Sequence, residues 1–258
     1  MRGIRPTLLL RSFPMMGGDY VRRATAEFIG TFALIFVGAG AVLYGDPVGI
    51  ALANGLVIAV FVSAFGMISG GFFNPAVTLG FLVTRRIAPA LAGIYWLAQF
   101  GGAALAALLL KWVLPASARN GIMLGAPSLH SGISDGKGLV IEAVLTFFLV
   151  WVVFATAVDP RGSFKQIAGL AIGLTITLDA LMAVGLTGAA MNPARAFGPQ
   201  LVGDVWAHGW IWYVGPLAGG AIAALLYEAL YLGPPRPEPV GPPSTGVEEP
   251  APGTAALE

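Results

Sequence analysis

The sequence predicts an all-α membrane protein in which six transmembrane helices and two re-entrant half-helices form an inverted 3+3 repeat. The first observation is composition: the 258 residues are 57% apolar and 10% charged, with a mean hydropathy of +0.81, which is far from the soluble average. The second is that apolar runs reach the length of about 20 residues that a bilayer requires. The third is that SGGFFNPAVTLG (69–80) and TGAAMNPARAFG (187–198) align without a gap, 118 positions apart.

Six apolar runs are long enough to cross the membrane. They cover about residues 22–44, 49–69, 88–112, 138–158, 166–186 and 208–232. Two shorter pieces, about 75–84 and 193–202, each follow an Asn-Pro pair. Because proline favours the first turn of a helix, each piece is predicted to be a half-helix that begins at Pro75 or Pro193 and then turns back.

Each half of the chain therefore contains three spans and one half-helix, so the second half is predicted to lie upside down relative to the first. The membrane domain covers 21–232, with repeat one at about 21–112 and repeat two at about 138–232. Of the 14 lysines and arginines, ten fall on one predicted side, three on the other, and Arg195 lies within an apolar stretch. The excess of positive charge predicts that both termini are cytoplasmic. We expect a multi-pass protein of the cell membrane.

The two ends of the chain differ from this domain. Residues 1–20 are predicted to be a cytoplasmic N-terminal segment, with Met15 and Met16 as alternative starts to Met1. Residues 233–258 are rich in proline and are predicted to be a disordered tail. The chain has no cysteine, which excludes disulfides, thiolate metal sites and cysteine nucleophiles, and its net charge of +1 gives no sign of a nucleic-acid partner. We expect no cofactor, no metal site and no catalytic residue.

Inverted repeats place their functional site near the bilayer midplane, where interrupted helices end. Two triplets are expected to meet there: Asn74-Pro75-Ala76 and Asn192-Pro193-Ala194. Each half-helix N-terminus leaves free N–H groups and a charge of about +0.5, and an asparagine can cap it through its side-chain oxygen. The amide groups then remain as donors for a neutral hydroxylic molecule, while a cation is repelled. The alternative is that both triplets are structural caps in another kind of transporter.

These motifs resemble the signatures of the aquaporin family, the major intrinsic proteins. The resemblance rests on SGGFFNPAVTLG, MNPARAFGP, WYVGPLAGG and the paired Glu27 and Glu142, and it covers about residues 20–232. It implies an hourglass-shaped monomer, a homotetramer with one pore in each protomer, and passive transport of water and small uncharged solutes without protons or ions. It also implies that the two glutamates accept hydrogen bonds from the re-entrant loops. The alternative is that they are ordinary interfacial carboxylates.

The family spacing places a selectivity filter at Asn54, Ala180, Ala189 and Arg195. A basic residue deep in an apolar stretch is functional by default, and the resemblance makes Arg195 the cationic member of the filter. Strict water channels of the family usually carry phenylalanine and histidine where this chain has Asn54 and Ala180. We therefore expect a wider opening that passes glycerol, urea, ammonia or a metalloid hydroxide, unless neighbouring side chains refill the space.

Other residues leave alternatives open. Ala196, Trp212 and Tyr213 are typical of strict water channels, which is one alternative reading of the chain. Phe72 replaces a histidine common in the family, which puts a protonation gate there in doubt. Asp179 is an unusual acid for an apolar span: it faces a neighbouring helix or subunit, or, with a shift of one residue, lies in the filter beside Arg195. The remaining alternatives are a secondary transporter that uses Asp179 as an ionisable relay, and a protein kept for junctional contact.

Overall fold

The computed structural model describes residues 17–162 and 165–233, and its regular elements are helices. In chain order they are α1 (Gly17–Ala33), α2 (Pro47–Phe65), α3 (Pro75–Val83), α4 (Pro89–Val113), α5 (Ala116–Gly121), α6 (Asp135–Val153), α7 (Ala168–Ala183), α8 (Pro193–Gly203) and α9 (Ile211–Tyr227). The predictions for the proline-rich tail from residue 234 and for most of the N-terminal segment, including Met15 and Met16, lie outside the described residues.

Three of the helices continue into π-helical or 3-10 turns at their C-terminal ends. These turns are Leu34–Ala39 and Gly40–Tyr44 after α1, Phe154–Val158 after α6 and Glu228–Leu232 after α9. With these extensions, five helices are long and apolar enough to cross a membrane: Asp19–Leu43, Pro47–Phe65, Pro89–Val113, Asp135–Val158 and Ile211–Leu232. They correspond to five of the six predicted spans.

The sixth predicted span, 166–186, is shorter as a regular helix. The 16 residues of α7 measure about 24 Å, against a hydrocarbon core of about 30 Å. Hydrogen-bonded turns make up the difference, because the N–H groups of Val184 and Thr187 donate to the carbonyls of Ala180 and Ala183 at 2.8 and 2.9 Å. The second predicted span, 49–69, also ends in hydrogen-bonded turns, because the N–H groups of Ser69 and Gly70 donate to the carbonyls of Phe65 and Gly66, both at 3.0 Å. Helix α2 ends at Phe65, and the chain leaves helical geometry by Gly70, whose φ is +97°.

Both half-helices begin at the predicted prolines. Asn74 and Asn192, the residues before Pro75 and Pro193, have extended backbone and cap α3 and α8 through their side chains. The extended conformation is what a residue before proline prefers, and proline lacks the N–H that the first helical turn would leave unpaired. The Asn-Pro pair therefore fixes where each half-helix starts.

The two halves of the chain pack in equivalent ways and also across one another. Helix α1 packs on α4, and α6 packs on α9 in the same manner, while α2 of the first half packs on α7 of the second. At this central contact, a Cβ on Gly55 would overlap the backbone of Gly173, and a Cβ on Gly173 would overlap that of Gly55. Small residues permit such a close approach of helices in membranes.

Each half-helix packs against the last long helix of the other half. Helix α3 lies on α9, where Gly80 faces Ala224, and α8 lies on α4, where Gly198 faces Ala103. Because each half holds the half-helix of the other, the N-terminal ends of α3 and α8 meet inside the molecule.

One face of the molecule, which we call the basic face, carries Arg23, Arg86 and Arg161. Arg23 and Arg86 line one cavity there, and Arg86 binds Glu228 through two hydrogen bonds of 2.8 and 2.9 Å. Hydrogen bonds from the Arg161 side chain and backbone hold the pKa of Asp159 well below its usual range. The ionised Asp159 also accepts a 3.0 Å hydrogen bond from the hydroxyl of Tyr227, which joins the end of α6 to α9.

The opposite face carries the ends of α4 and α8 and the start of α6. Lys111 donates to the carbonyl of Val202 at 3.1 Å, and the Nδ1 of His208 lies 2.7 Å from a carboxylate oxygen of Asp135. Arg86 precedes the start of α4 and Lys111 lies in its last turn, so these two basic residues lie on different faces.

Candidate functional site

The tips of the two half-helices are tied to each other. The side-chain oxygen of Asn74 caps α3 by accepting from the N–H of Ala76 at 2.8 Å, and that of Asn192 caps α8 by accepting from the N–H of Ala194 at 2.9 Å. The amide of Asn74 donates to the carbonyl of Met191 at 2.9 Å, and the amide of Asn192 donates to the carbonyl of Phe73 at 2.8 Å. Since an amide has two N–H groups, each asparagine keeps one further donor.

The loop before Asn74 is held by Glu27, whose side chain is fully buried. One carboxylate oxygen accepts from the hydroxyl of Ser69 at 2.6 Å and from the N–H of Phe72 at 3.0 Å. The other oxygen accepts from the N–H of Phe73 at 2.7 Å. A buried carboxylate that accepts three hydrogen bonds from this loop compensates donors that have no helical partners.

The loop before Asn192 is held by Glu142 in the same way, and this residue is also fully buried. Its carboxylate accepts from the hydroxyl of Thr187 at 2.7 Å, from the N–H of Ala190 at 3.0 Å and from the N–H of Met191 at 2.8 Å. The inverted repeat therefore extends to individual hydrogen bonds.

Two side chains that the sequence analysis did not single out support only the first loop. Gln99 donates to Glu27 at 2.8 Å and to the hydroxyl of Thr78 at 3.0 Å, and the hydroxyl of Tyr95 donates to the carbonyl of Ser69 at 2.5 Å. A buried amide in an apolar span was the available signal for Gln99, because polar groups there need partners.

The aromatic pair in α9 supports the second loop and half-helix. The indole N–H of Trp212 donates to the carbonyl of Thr187 at 2.9 Å, and the hydroxyl of Tyr213 donates to the side chain of Gln200 at 2.9 Å. These two residues, which are typical of water channels in the family, form hydrogen bonds from α9 to the second re-entrant segment.

A cavity runs past both asparagines, and we call it the lumen. Its wall is mainly apolar on the side of the long helices and consists of unwound backbone on the side of the two loops. The lining residues are Leu34, Asn54, Ile58, Val62, Gly70, Gly71, Phe72, Asn74, Val77, Phe81, Leu149, Val153, Ala157, Ile172, Ile176, Ala189, Ala190, Met191, Asn192 and Arg195. Non-helical backbone at membrane depth is tolerated where it lines a wet cavity.

Three of the four predicted filter residues lie on the wall of the lumen, namely Asn54, Ala189 and Arg195. The guanidinium of Arg195 is buried and donates to the carbonyl of Gly125 at 2.7 Å, so the loop before α6 fixes its position. The fourth, Ala180, is buried but is not among the lining residues, whereas Ile176, one turn earlier on α7, is.

Asn54 is drawn back against α1. Its amide donates to the carbonyl of Ile50 at 2.8 Å and to that of Gly38 at 3.3 Å, which uses both of its N–H groups. A Cβ on Gly38 would overlap this side chain, so the glycine makes the room into which the amide retreats. Asn54 therefore lines the lumen with little bulk.

Asp179 is buried and is not among the residues that line the lumen. Its Oδ2 has no hydrogen-bond partner within the described part of the chain. Asp179 therefore lies off the wall of the lumen, as Ala180 does.

Comparison with known proteins gives a consistent result. The profile of the family described as "Major intrinsic protein" matches residues 16–227. The chain is 44% identical over 232 residues to "Probable aquaporin TIP3-2" of Arabidopsis thaliana, covering 83% of this chain and 85% of that protein. It is 39% identical over 219 residues to "Aquaporin-4" of Mus musculus, covering 81% of this chain and 67% of that protein.

The fold also matches a solved structure. The aquaglyceroporin from Plasmodium falciparum superposes with a TM-score of 0.72 at 23% identity, covering 82% of this chain and 96% of the other. At this identity the comparison shows the fold, and it supports six long helices with two re-entrant half-helices.

Proposed function

The chain belongs to the major intrinsic protein family and is a multi-pass passive channel for water and small solutes, and we propose that the path is the lumen between Asn74 and Asn192. The observation that carries the proposal is the pair of crossed hydrogen bonds between the asparagines and the carbonyls of the opposite loops. They hold two free amide donors at one level of the lumen, opposite an apolar wall.

We propose that this arrangement excludes protons and cations. Two half-helix N-termini point at the same place, and each carries about half a positive charge. Arg195 adds a full positive charge to the same lumen. A water molecule can turn its oxygen towards both amides, which supports passage of neutral molecules, while a cation meets only repulsion.

Proteoliposomes provide the test. Reconstituted protein should accelerate osmotic shrinkage in stopped-flow light scattering, and under a pH gradient at clamped voltage it should add no proton leak. Asn74→Asp and Asn192→Asp place a negative charge at the crossing and should weaken the proton barrier or prevent folding. A proton leak that rises with the amount of unmodified protein contradicts the proposal.

We further propose that the channel passes at least one solute larger than water, such as glycerol, urea, ammonia or a metalloid hydroxide. The support is the withdrawn side chain of Asn54 and the methyl-sized Ala189 beside Arg195. Asn54→Phe combined with Ala180→His should suppress such a solute more than water. If the unmodified protein passes water and none of these solutes, the alternative of a strict water channel holds, and Ile176 is the nearest side chain to refill the gap.

A secondary transporter needs ionisable groups that face the transport path. Glu27 and Glu142 are occupied by the loops, and Asp179 lies away from the lumen. These positions favour a channel. A solute flux that requires a proton gradient would favour the transporter instead.

We propose that the protein assembles as a homotetramer with one lumen in each protomer, resides in the cell membrane and keeps both termini in the cytoplasm. The family relationship supports the assembly, and the excess of arginine on the basic face supports the orientation. Mass measurement in detergent tests the assembly. Protease access to either terminus in oriented vesicles tests the orientation.

A further inference from the structure

We propose that Phe72 and Phe81 form a second constriction of the channel, at the end of the lumen nearer the basic face, and that this aromatic pair sets the upper size of the solutes that pass. The proposal rests on the proposed function, because it concerns the same lumen.

Three cavities meet at these two rings. The lumen shares Gly70, Phe72 and Phe81 with two outer cavities on the side of the basic face. One of the outer cavities also contains Arg23 and Arg86, which are at that face. A molecule that moves between the lumen and the basic face therefore passes the two rings.

The rings are held in place from several sides. Their centroids are 4.3 Å apart with an interplanar angle of 37°. Tyr95 packs edge-on against Phe72 at 5.4 Å, and Phe154 packs against Phe81 at 5.2 Å. Each ring therefore has an aromatic neighbour besides the other ring of the pair.

The loop backbone also fixes the Phe72 ring. The N–H of Phe72 donates to Glu27 at 3.0 Å. Gly70 has a φ of +97°, and a Cβ there would lie 2.6 Å from the Phe72 ring, so the ring rests against bare backbone. This position depends on glycine for both its conformation and its space.

The chemistry of the rings differs from that of the Arg195 end. Phenyl rings offer no hydrogen bond, so a solute loses polar partners as it passes, and hydrophobic constrictions control permeation in this way. A water molecule that passes the rings can keep hydrogen bonds to the water molecules before and behind it. A polyol or an amide must lose the hydration of several polar groups at once. The lumen wall at the other end carries the Arg195 guanidinium, whose remaining N–H groups can replace some of those partners. The aromatic pair is therefore the barrier for larger polar solutes.

Stopped-flow measurements of water, urea and glycerol permeability test the proposal. Phe72→Ala and Phe81→Ala should each raise urea and glycerol permeability by about tenfold, equivalent to about 1.4 kcal/mol of barrier, with a smaller change for water. Phe148→Ala is the matched control, because it removes a ring that is half exposed on the outside of α6 and does not line the lumen. Phe72→His keeps an aromatic ring but makes it smaller and polar, and it should raise urea permeability more than glycerol permeability.

The outcomes separate the two proposals. If the unmodified protein passes water and the alanine variants leave the ratio of solute to water permeability unchanged, the aromatic constriction is wrong. If the unmodified protein conducts no water, the proposed function itself fails. If an alanine variant does not elute as folded protein, Phe72→Leu and Phe81→Leu replace it, because leucine removes the ring and keeps apolar contact. The ratio of solute to water permeability is then measured for the leucine variants.

Discussion

The two re-entrant segments, residues 69–83 and 187–203, share their supports and differ in what they present to the lumen. Each has a buried glutamate that accepts one hydroxyl and two backbone hydrogen bonds, and each has a capping asparagine that reaches the other segment. The first segment presents Phe72 and Val77 to the lumen, where the second presents Ala190 and Arg195. The symmetric residues hold the backbone, and the asymmetric ones give the two ends of the path different chemistry.

The glutamates should give the largest effect on folding, and a comparison between them tests the shared support. Glu142→Gln replaces one acceptor by a donor that faces backbone N–H groups, and we expect a loss of about 3 kcal/mol in unfolding free energy. Glu27→Gln should cost less, because the neighbouring Gln99 can turn its oxygen towards the loop. Thermal unfolding of the purified variants measures both, with Glu228→Gln on the basic face as control. Equal losses would show that Gln99 contributes nothing specific to the first loop.

Exchanging Arg195 and Val77, which occupy equivalent positions in the two segments, tests whether such residues give the two ends of the path different chemistry. Arg195→Val copies the first segment into the second and should raise sodium and proton leak at least tenfold, since about 1.4 kcal/mol of barrier is enough for that change. Water permeability should persist. The reverse exchange, Val77→Arg, buries a charge with no partner among the residues around it and should reduce the yield of folded protein, at an insertion cost of about 2.5–3.5 kcal/mol. An unchanged ion leak in Arg195→Val would show that the half-helix termini exclude ions alone.

The contact between α2 and α7 joins the two halves of the chain. Gly55→Ala places a methyl group against Thr177 and the carbonyl of Gly173, and we expect a loss of about 1–3 kcal/mol from overpacking. Gly93→Ala is the matched control in α4, where no other atom lies within 4 Å of the new Cβ, and it should gain up to about 1 kcal/mol in helix propensity. Chemical unfolding in detergent compares them. A Gly55→Ala protein as stable as the control would mean that the two helices can separate without loss.

Asp179 has no counterpart in the first half, where the position 118 residues earlier is Phe61. Removing the charge of a buried carboxylate with an unpaired oxygen should stabilise the protein, and we expect Asp179→Asn to gain about 1 kcal/mol. Melting temperature reports the gain, and water permeability should not change. Destabilisation by this variant would point to a partner for Asp179 in a neighbouring protomer.

The last comparison concerns mercuric ion, which we expect to have no effect on the unmodified protein. The chain lacks cysteine, so mercuric ion should leave the water permeability of the unmodified protein unchanged. Ala189→Cys introduces a thiol on the wall of the lumen near Arg195 and should make the same flux sensitive to mercuric ion, whereas Ala189→Ser should remain insensitive. Inhibition of the unmodified protein would show that mercuric ion acts away from thiols.

Sequence reasoning recovered the spans and both half-helices because apolar run length and the Asn-Pro cap are local properties of the chain. The π-helical ends and the short α5 have no such local signal. The filter shows the limit more clearly. Ile176 and Ala180 lie one turn apart on the same side of α7, and spacing alone does not tell which of them reaches the lumen. In the same way, the sequence shows that Phe72 stands where the family commonly has histidine, but it does not show that Phe72 packs on Phe81. That contact depends on the left-handed backbone of Gly70 and Phe73.

The crossed asparagine bonds also impose an order on biosynthesis. The acceptor of the Asn74 amide is the carbonyl of Met191, which lies 117 residues later in the chain. At about 5–20 residues per second, a ribosome needs about 6–23 s to make that stretch. During this interval the first re-entrant loop, which Glu27 of the same half already holds, lacks the Met191 carbonyl. We therefore expect the loop of the nascent first half to remain open. It should become protected from protease only after the second asparagine has entered the membrane.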